Sequence, residues 1–216
     1  MDDPIQRHPT RAEQLDIMAS AIADLARPGD RLLDLGCGTG YFIHLLEQKR
    51  RDLVVTGVDM KAESLDAARQ RFGDGRFTWV EGDLGEPLRV ALPHDRYRFV
   101  TSALTFHDLS HVQKQAVIAR AAKLLTDDGL YLHYDRIRLA EPALFPVQQS
   151  IWRRLERVHG FGMRSAESFA DYEAQIAANN NPAGLDEYRG WFAACGLAHT
   201  VIHLHGNIAI LAAVRR

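Results

Sequence analysis

The sequence predicts an α/β fold with a doubly wound, mostly parallel sheet, and three observations lead there. Between Arg31 and Tyr134, short apolar runs alternate with helix-length segments, the pattern of strands covered by helices on both faces. The first of these runs opens straight into the glycine cluster GCGTG, residues 36–40. The chain closes with two strand-like runs joined only by His205-Gly206-Asn207. A connection that short forces antiparallel pairing.

Taken in order, Arg11–Ala26 is an amphipathic helix, with Leu15, Ile17, Met18, Ala21, Ile22 and Leu25 near helical spacing. Arg27-Pro28-Gly29-Asp30 ends it, because proline and glycine punctuate helices. Arg31–Leu35 is a short buried strand, and Tyr41–Arg50 a helix that opens directly after the glycines. Leu53–Val58 is a second strand ending at Asp59, Ala62–Phe72 a helix, and Phe77–Val80 a third strand. Tyr97–Ala103 is the fourth strand and Val112–Leu125 a helix; a Thr126–Gly129 turn then leads to a fifth strand, Leu130–Tyr134. The alternation breaks at residues 138–195, which read as mainly helical and carry Phe145, Trp152, Phe161, Phe169, Tyr172, Tyr188, Trp191 and Phe192. The hairpin strands are Thr200–Leu204 and Ile208–Val214.

Composition narrows the function. A chain of 216 residues with 46% hydrophobic and 25% charged residues suits one globular domain. Its formal net charge is −2, whereas nucleic-acid binders usually carry a basic surplus to meet phosphates. No apolar stretch approaches the ~20 residues of a membrane helix. The start, MDDPIQRHPTRAEQ, has no secretion-signal pattern. Cys37 and Cys195 are the two cysteines, which fits a reduced, cytoplasmic protein better than a disulfide framework.

Glycines clustered behind a strand let a ligand lie against bare backbone. A dinucleotide fingerprint, G-x-G-x-x-G, accounts for Gly36 and Gly38 but requires a glycine at position 41, where Tyr41 stands. The segment LLDLGCGTG resembles instead the first motif of class I S-adenosylmethionine-dependent methyltransferases, an acidic residue followed by G-x-G-x-G. Three more stretches follow in the family's order. VVTGVDM places Asp59 at the tip of the second strand, FTWVEGDLGE places Asp83 after the third, and YRFVTSALTFHDLS carries the fourth strand and its loop. An acid about 20 residues beyond a glycine loop is where a ribose diol is held. The family's L-x-P-G-G turn is replaced here by LLTDDGL.

The resemblance covers about residues 31–137 and the terminal hairpin. It implies a seven-stranded sheet with the last strand antiparallel, a helical lid at 138–195, an N-terminal helix within residues 1–27, and S-adenosylmethionine as cofactor. It assigns Asp34, Gly36, Cys37, Gly38 and Gly40 to the turn against the cofactor, Asp59 with Met60 to the ribose, and Asp83 with Leu84 to adenine. It brings Thr101, Ser102 and Ala103 nearest the sulfonium and makes Arg11 a candidate for the cofactor carboxylate.

For chemistry, His107 in LTFHDLS matches a histidine common in small-molecule methyltransferases, and an imidazole is the side-chain type best suited to accept a proton near neutral pH. Capping the next helix is its plainer role. His133 and Tyr134 rank second, with Asp135 able to orient either. His203 and His205 share a strand face but lack a third metal partner. Trp152, Phe161, Met163 and Tyr172 are candidates for lining an apolar substrate pocket, or simply for helix packing.

The [DNS]-P-P-[YF] signature of nucleic-acid amino methylation and a Pro-Cys nucleophile are both missing after strand four. The expected activity is therefore methylation of a small organic molecule, with no nucleic-acid or membrane partner and with a homodimer left open. The alternatives are an enzyme that modifies the cofactor itself, like carboxy-S-adenosylmethionine synthase, or a non-catalytic methyltransferase-like subunit. An NAD oxidoreductase is more distant.

Overall fold

The computed structural model describes residues 10–160 and 166–216. A seven-stranded sheet has the order β3-β2-β1-β4-β5-β7-β6. Its strands are β1 (Arg31–Leu35), β2 (Val54–Asp59), β3 (Phe77–Glu81), β4 (Tyr97–Ala103), β5 (Leu125–Arg136), β6 (Leu197–His205) and β7 (Ile208–Arg215). Strands β1 to β5 run parallel, while β7 inserts antiparallel between β5 and β6. The helices are α1 (Arg11–Leu25), α2 (Tyr41–Glu47), α3 (Ala62–Phe72), α4 (His111–Leu124), α5 (Phe145–His159), α6 (Phe169–Asn179) and α7 (Leu185–Ala194). Among the described residues, no helix is long and apolar enough to cross a membrane.

The two-residue period of a strand sorts the core onto two faces. Leu32, Val55, Phe99, Leu132 and Ile210 pack with α1, α2 and α3 through Leu15, Met18, Ile22, Phe42, Ile43 and Leu65. Leu33, Val100, Tyr131 and Leu211 pack on the opposite face with Val117 and Ile118 of α4 and Tyr188 and Phe192 of α7. A separate small cluster of Phe145, Trp152, Ala166 and Tyr172 holds α5 to α6.

The structure departs from the sequence-based expectation in two places. The expected turn at Thr126–Gly129 lies inside β5, which begins five residues early. Tyr97 pairs with Leu125 and Phe99 with Leu130, so the intervening residues form a bulge. Its outer acid, Asp128, reaches Arg98 at 3.3 Å and Arg27 at 3.4 Å. Trp152 and Tyr172 pack against each other, with ring centroids 6.0 Å apart, so these aromatics fill a helix–helix core and do not line the crevice described below. Phe161 and Met163 lie outside the described residues.

Phe99 is fully buried at the centre of the α1/α2 face. Replacing it with alanine leaves a cavity, and Phe99→Ala is expected to cost about 3–5 kcal/mol. Urea unfolding should read this as a lower midpoint at unchanged slope.

Candidate active site

Strands β2 and β3 extend to one side of β1, and β4 and β5 to the other. The loops after β1 and β4 therefore diverge, and ligands of open α/β sheets bind where they part. A crevice of about 470 Å³ lies there, walled by residues from the C-terminal ends of all five parallel strands and by Arg11 of α1.

The glycine loop forms its floor. The main-chain N–H groups of Gly36 and Cys37 both donate to Val58 O, at 2.8 and 2.9 Å, which pins the loop to β2. Gly36 has φ +74°, and a Cβ there would overlap the Thr105 side chain at 2.2 Å. Gly38 differs: its φ is +52°, but a Cβ would meet no protein atom within 4 Å. The space kept clear beside Gly38 is thus crevice, not packing.

Asp59 closes β2 and clasps the loop. Its Oδ2 accepts from Gly38 N at 2.8 Å and its Oδ1 from Lys61 N at 2.9 Å. Each carboxylate oxygen has two lone pairs, so both retain capacity toward the crevice they line. Met60, Asp83 and Leu84 continue the same wall, and Asp83 Oδ1 accepts from Gly85 N at 2.6 Å.

Asp34 lies beneath the loop, almost wholly buried. Burial pushes its pKa up to about 7 and the nearby Asp59 charge adds to this, against a hydrogen bond from Thr101. Thr101 Oγ1 donates to Asp34 Oδ1 at 2.7 Å. The Cys37 thiol is raised well above its usual range by burial, with Asp34 and Asp59 contributing. It stays protonated and serves as a small apolar wall.

Of the three residues expected on the sulfonium side, Ala103 lines the crevice. Neither Thr101 nor Ser102 lines the crevice. Thr101 supports Asp34 from below. Ser102 points to the opposite face, where its Oγ lies 2.8 Å from His133 Nδ1 and 3.3 Å from Tyr131 Oη. The wall is made by the next three residues, Ala103, Leu104 and Thr105. Leu104 adopts φ +55°, an unfavourable conformation for a branched side chain, and donates its N–H to Tyr134 O at 2.8 Å.

His107 sits in a 3₁₀ turn, Phe106–Asp108, and is tied twice to Asp135. Its main-chain N–H donates to Asp135 Oδ2 at 2.7 Å, and Nδ1 lies 2.6 Å from Asp135 Oδ1. Burial alone would raise the Asp135 pKa, but the adjacent His107, its hydrogen bond, His133 and the Arg136 N–H together bring it below the usual carboxylate value. An ionised carboxylate only accepts, so Nδ1 carries a proton toward Asp135, while Nε2 faces Asp108 Oδ1 at 3.7 Å. Asp135 thus orients His107, not the two second-rank candidates. His133 is buried between Phe106 and Tyr188, and burial depresses its pKa to about 4. Tyr134 is also buried and donates its hydroxyl to Gln14 Oε1 of α1 at 2.6 Å. Neither lines the crevice.

Beyond the expected residues, the structure brings Lys61, Ser64, Thr105, Asp108, Leu109 and Arg136 to the walls. Buried Lys114 fastens the region from behind, donating to Leu109 O and to Asn181 O. Loss of hydration lowers its pKa to about 8, although Asp135, Glu187 and Asp108 pull the other way. His203 touches Gln14 at 3.3 Å. No group of three metal-ligating side chains occurs among the described residues.

A family model described as a methyltransferase domain matches residues 32–129. Malonyl-[acyl-carrier protein] O-methyltransferase of Anoxybacillus flavithermus is 33% identical over 108 residues, covering 50% of this chain and 39% of that protein. Carboxy-S-adenosyl-L-methionine synthase of Campylobacter lari is 24% identical over 164 residues, 74% of this chain and 68% of that protein. The chain thus spans about two fifths of the first relative and two thirds of the second. Magnesium protoporphyrin IX methyltransferase of Synechocystis, solved with bound SAH, superposes at TM-score 0.64 and 16% identity, covering 100% of this chain and 89% of that one. The YcgJ protein of Bacillus subtilis superposes at TM-score 0.65 and 17% identity, covering 95% and 99%. Residues 32–129 therefore match the methyltransferase domain family, and the sheet that carries them has the fold of the class I S-adenosylmethionine-dependent methyltransferases.

Proposed function

We propose that this chain transfers a methyl group from S-adenosylmethionine to a small organic molecule, with His107 as general base. One observation carries the reading: a glycine floor with its Asp59 clasp and an Asp135-oriented histidine line the same crevice. The crevice fits the cofactor's chemistry. The open space beside Gly38 admits a ligand against backbone, Asp59 presents acceptors for a diol, and Asp34 gives an anion near the amino and sulfonium charges. The buried Tyr41 stands where a dinucleotide loop needs its third glycine, which argues against NAD.

When bound, S-adenosylmethionine supplies an electrophilic methyl group on a sulfonium. The chain's own residues then have three tasks. Asp59, with Asp83 and the Leu84 N–H, holds the nucleoside end, and Arg11 meets the cofactor carboxylate. The walls at Ala103, Leu104 and Thr105 exclude water from the transfer line and fix its direction, which is where much of such a rate comes from. His107 Nε2 takes the acceptor's proton, and the Asp135 carboxylate behind it stabilises the resulting imidazolium.

A second reading, modification of the cofactor itself, draws on the carboxy-S-adenosylmethionine synthase relative and on Arg11 and Arg136 in the crevice. Mass spectrometry of the products separates the two. S-adenosylhomocysteine accompanied by a methylated acceptor supports the first, and a heavier cofactor derivative supports the second.

Calorimetric titration with S-adenosylmethionine tests the cofactor assignment. Asp59→Asn can keep an acceptor for the Gly38 N–H but then sets its amide NH2 against the Lys61 N–H and loses charge, so it should weaken binding about ten- to hundredfold and lower the melting temperature modestly. Unaltered affinity would exclude the ribose role.

Asp34 adds a pH signature. A cationic ligand favours the ionised acid, so binding draws its pKa down from about 7 and releases a proton. Affinity should therefore rise from about pH 5 to about pH 7.5 and level off above, with the slope lost in Asp34→Asn. Titrations in buffers of different ionisation enthalpy read the proton directly.

For the base, His107→Gln is expected to lower turnover of an acceptor about 10²–10⁴-fold, measured by S-adenosylhomocysteine release, while the Kd for S-adenosylhomocysteine stays unchanged. Unchanged turnover would make the histidine structural.

A further inference from the structure

Arg136 ends β5 and lines the crevice, half-buried. Among the described residues its guanidinium makes one hydrogen bond, to Asn180 Oδ1, and no ion pair. Its main-chain N–H is anchored 2.7 Å from Asp135 Oδ1, the same oxygen that holds His107 Nδ1. The arginine and the candidate base are thus set on either side of one buried carboxylate. The crevice acid Asp108 is bridged to the guanidinium by the Asn180 amide, whose Nδ2 donates to Asp108 Oδ1 at 3.4 Å. A guanidinium has five donors in a rigid fork, and one amide oxygen satisfies a single donor. A cation drawn partly out of water without a counter-ion is costly to keep, and the planar fork matches a carboxylate through two parallel hydrogen bonds.

We propose that Arg136 binds a carboxylate of the methyl acceptor, so that the substrate class is small organic acids whose reacting atom lies beside His107 Nε2. This rests on the methyl-transfer reading above. Position in the sheet favours the acceptor over the cofactor as the source of that carboxylate. Asp83 follows β3, Asp59 ends β2 and the glycine loop follows β1, so the nucleoside lies over that half. His107 follows β4, and Arg136, on β5, is one strand further from the nucleoside end. A carboxylate paired with a guanidinium has its lone pairs engaged, which makes it a handle. The atom to be methylated is then a neighbouring protonated group, the kind that needs a base.

Calorimetry on protein saturated with S-adenosylhomocysteine tests this, with benzoate and its uncharged isostere benzamide as probes. Benzoate should bind at millimolar concentration, about ten- to hundredfold more tightly than benzamide. Arg136→Gln should abolish the discrimination, Arg136→Lys should restore part of it, and the affinity for S-adenosylhomocysteine should stay within about twofold in both, since the site is remote from the nucleoside wall. Equal binding of the two probes, no benzoate binding, or discrimination retained in Arg136→Gln would overturn the proposal. So would a tenfold loss of S-adenosylhomocysteine affinity in Arg136→Gln, because the carboxylate would then be the cofactor's own. Wild-type protein unable to bind S-adenosylhomocysteine overturns the methyl-transfer reading as well; binding it without distinguishing the probes overturns this inference alone.

Discussion

Because β1 and β4 are neighbours while the chain winds outward from each in opposite directions, the loops that follow them must separate. That opening follows from connectivity, and no side chain has to hold it apart. Every group proposed above to meet a ligand depends on it: the glycine loop and Asp59 line one bank, the loop through His107 and the end of β5 the other. The apolar packing on the two sheet faces supplies the rigidity. Residues such as Leu33 and Phe99, at the centre of β1 and β4, are buried completely. A site placed at strand ends inherits that rigidity in a way a site built on free loops would not.

On the His107 bank the organising group is the buried Asp135 carboxylate. An isolated ion there would be prohibitively unfavourable, yet it accepts hydrogen bonds from the His107 N–H, from Nδ1 and from the Arg136 N–H. Lys114, a few ångströms behind the same loop, bonds two main-chain oxygens and reaches across to Asn181, so the segment between α6 and α7 is drawn against the loop after β4. Asn181 also donates its side-chain amide to Leu109 O at 3.1 Å. Orientation of the imidazole, placement of Arg136 and docking of the helical segment are therefore coupled through a few buried polar atoms. Networks of this kind specify one arrangement because each partial version leaves a charge unpaired.

Much of the fold was legible because it rests on periodicity. The strands from β1 to β4, the helices between them and the terminal hairpin all follow from alternation and punctuation, and the glycine loop with Asp34 and Asp59 follows from a spacing set by ligand shape. What escaped depends on tertiary context. Nothing in TDDG distinguishes a turn from a bulge continuing a strand; the register of Tyr97 and Phe99 against β5 decides it. Thr101 and Ser102 were placed at the cofactor because they end a strand, but the wall is built from the residues just after them, where Leu104 takes a conformation its sequence disfavours. Asp135 was legible as an orienting acid, whereas its partner depended on how the loop after β4 folds back. Arg136 carried no motif at all; only its lack of a counter-ion among the described residues, visible in three dimensions, marks it.

The helical segment between β5 and β6 sharpens the character of the acceptor end. Its aromatic residues invite the picture of an apolar lid, yet Phe145, Trp152 and Tyr172 turn toward one another and stabilise α5 against α6. What this segment offers the crevice region is polar: the Asn180 side chain on Arg136 and Asp108, and the Asn181 main chain on His107. A pocket meant for a flat apolar substrate would place those rings inward and keep charge away, since apolar ligands gain mainly from dry, apolar walls. Here the crevice carries His107, the exposed Asp108 and the half-buried Arg136 guanidinium beside Ala103, Leu104 and Leu109, and the amide of Asn180 lies between the acid and the guanidinium. Beside the apolar Leu104 and Leu109 of the same crevice, such an arrangement suits the acidic acceptor proposed above, which brings the missing negative charge with it.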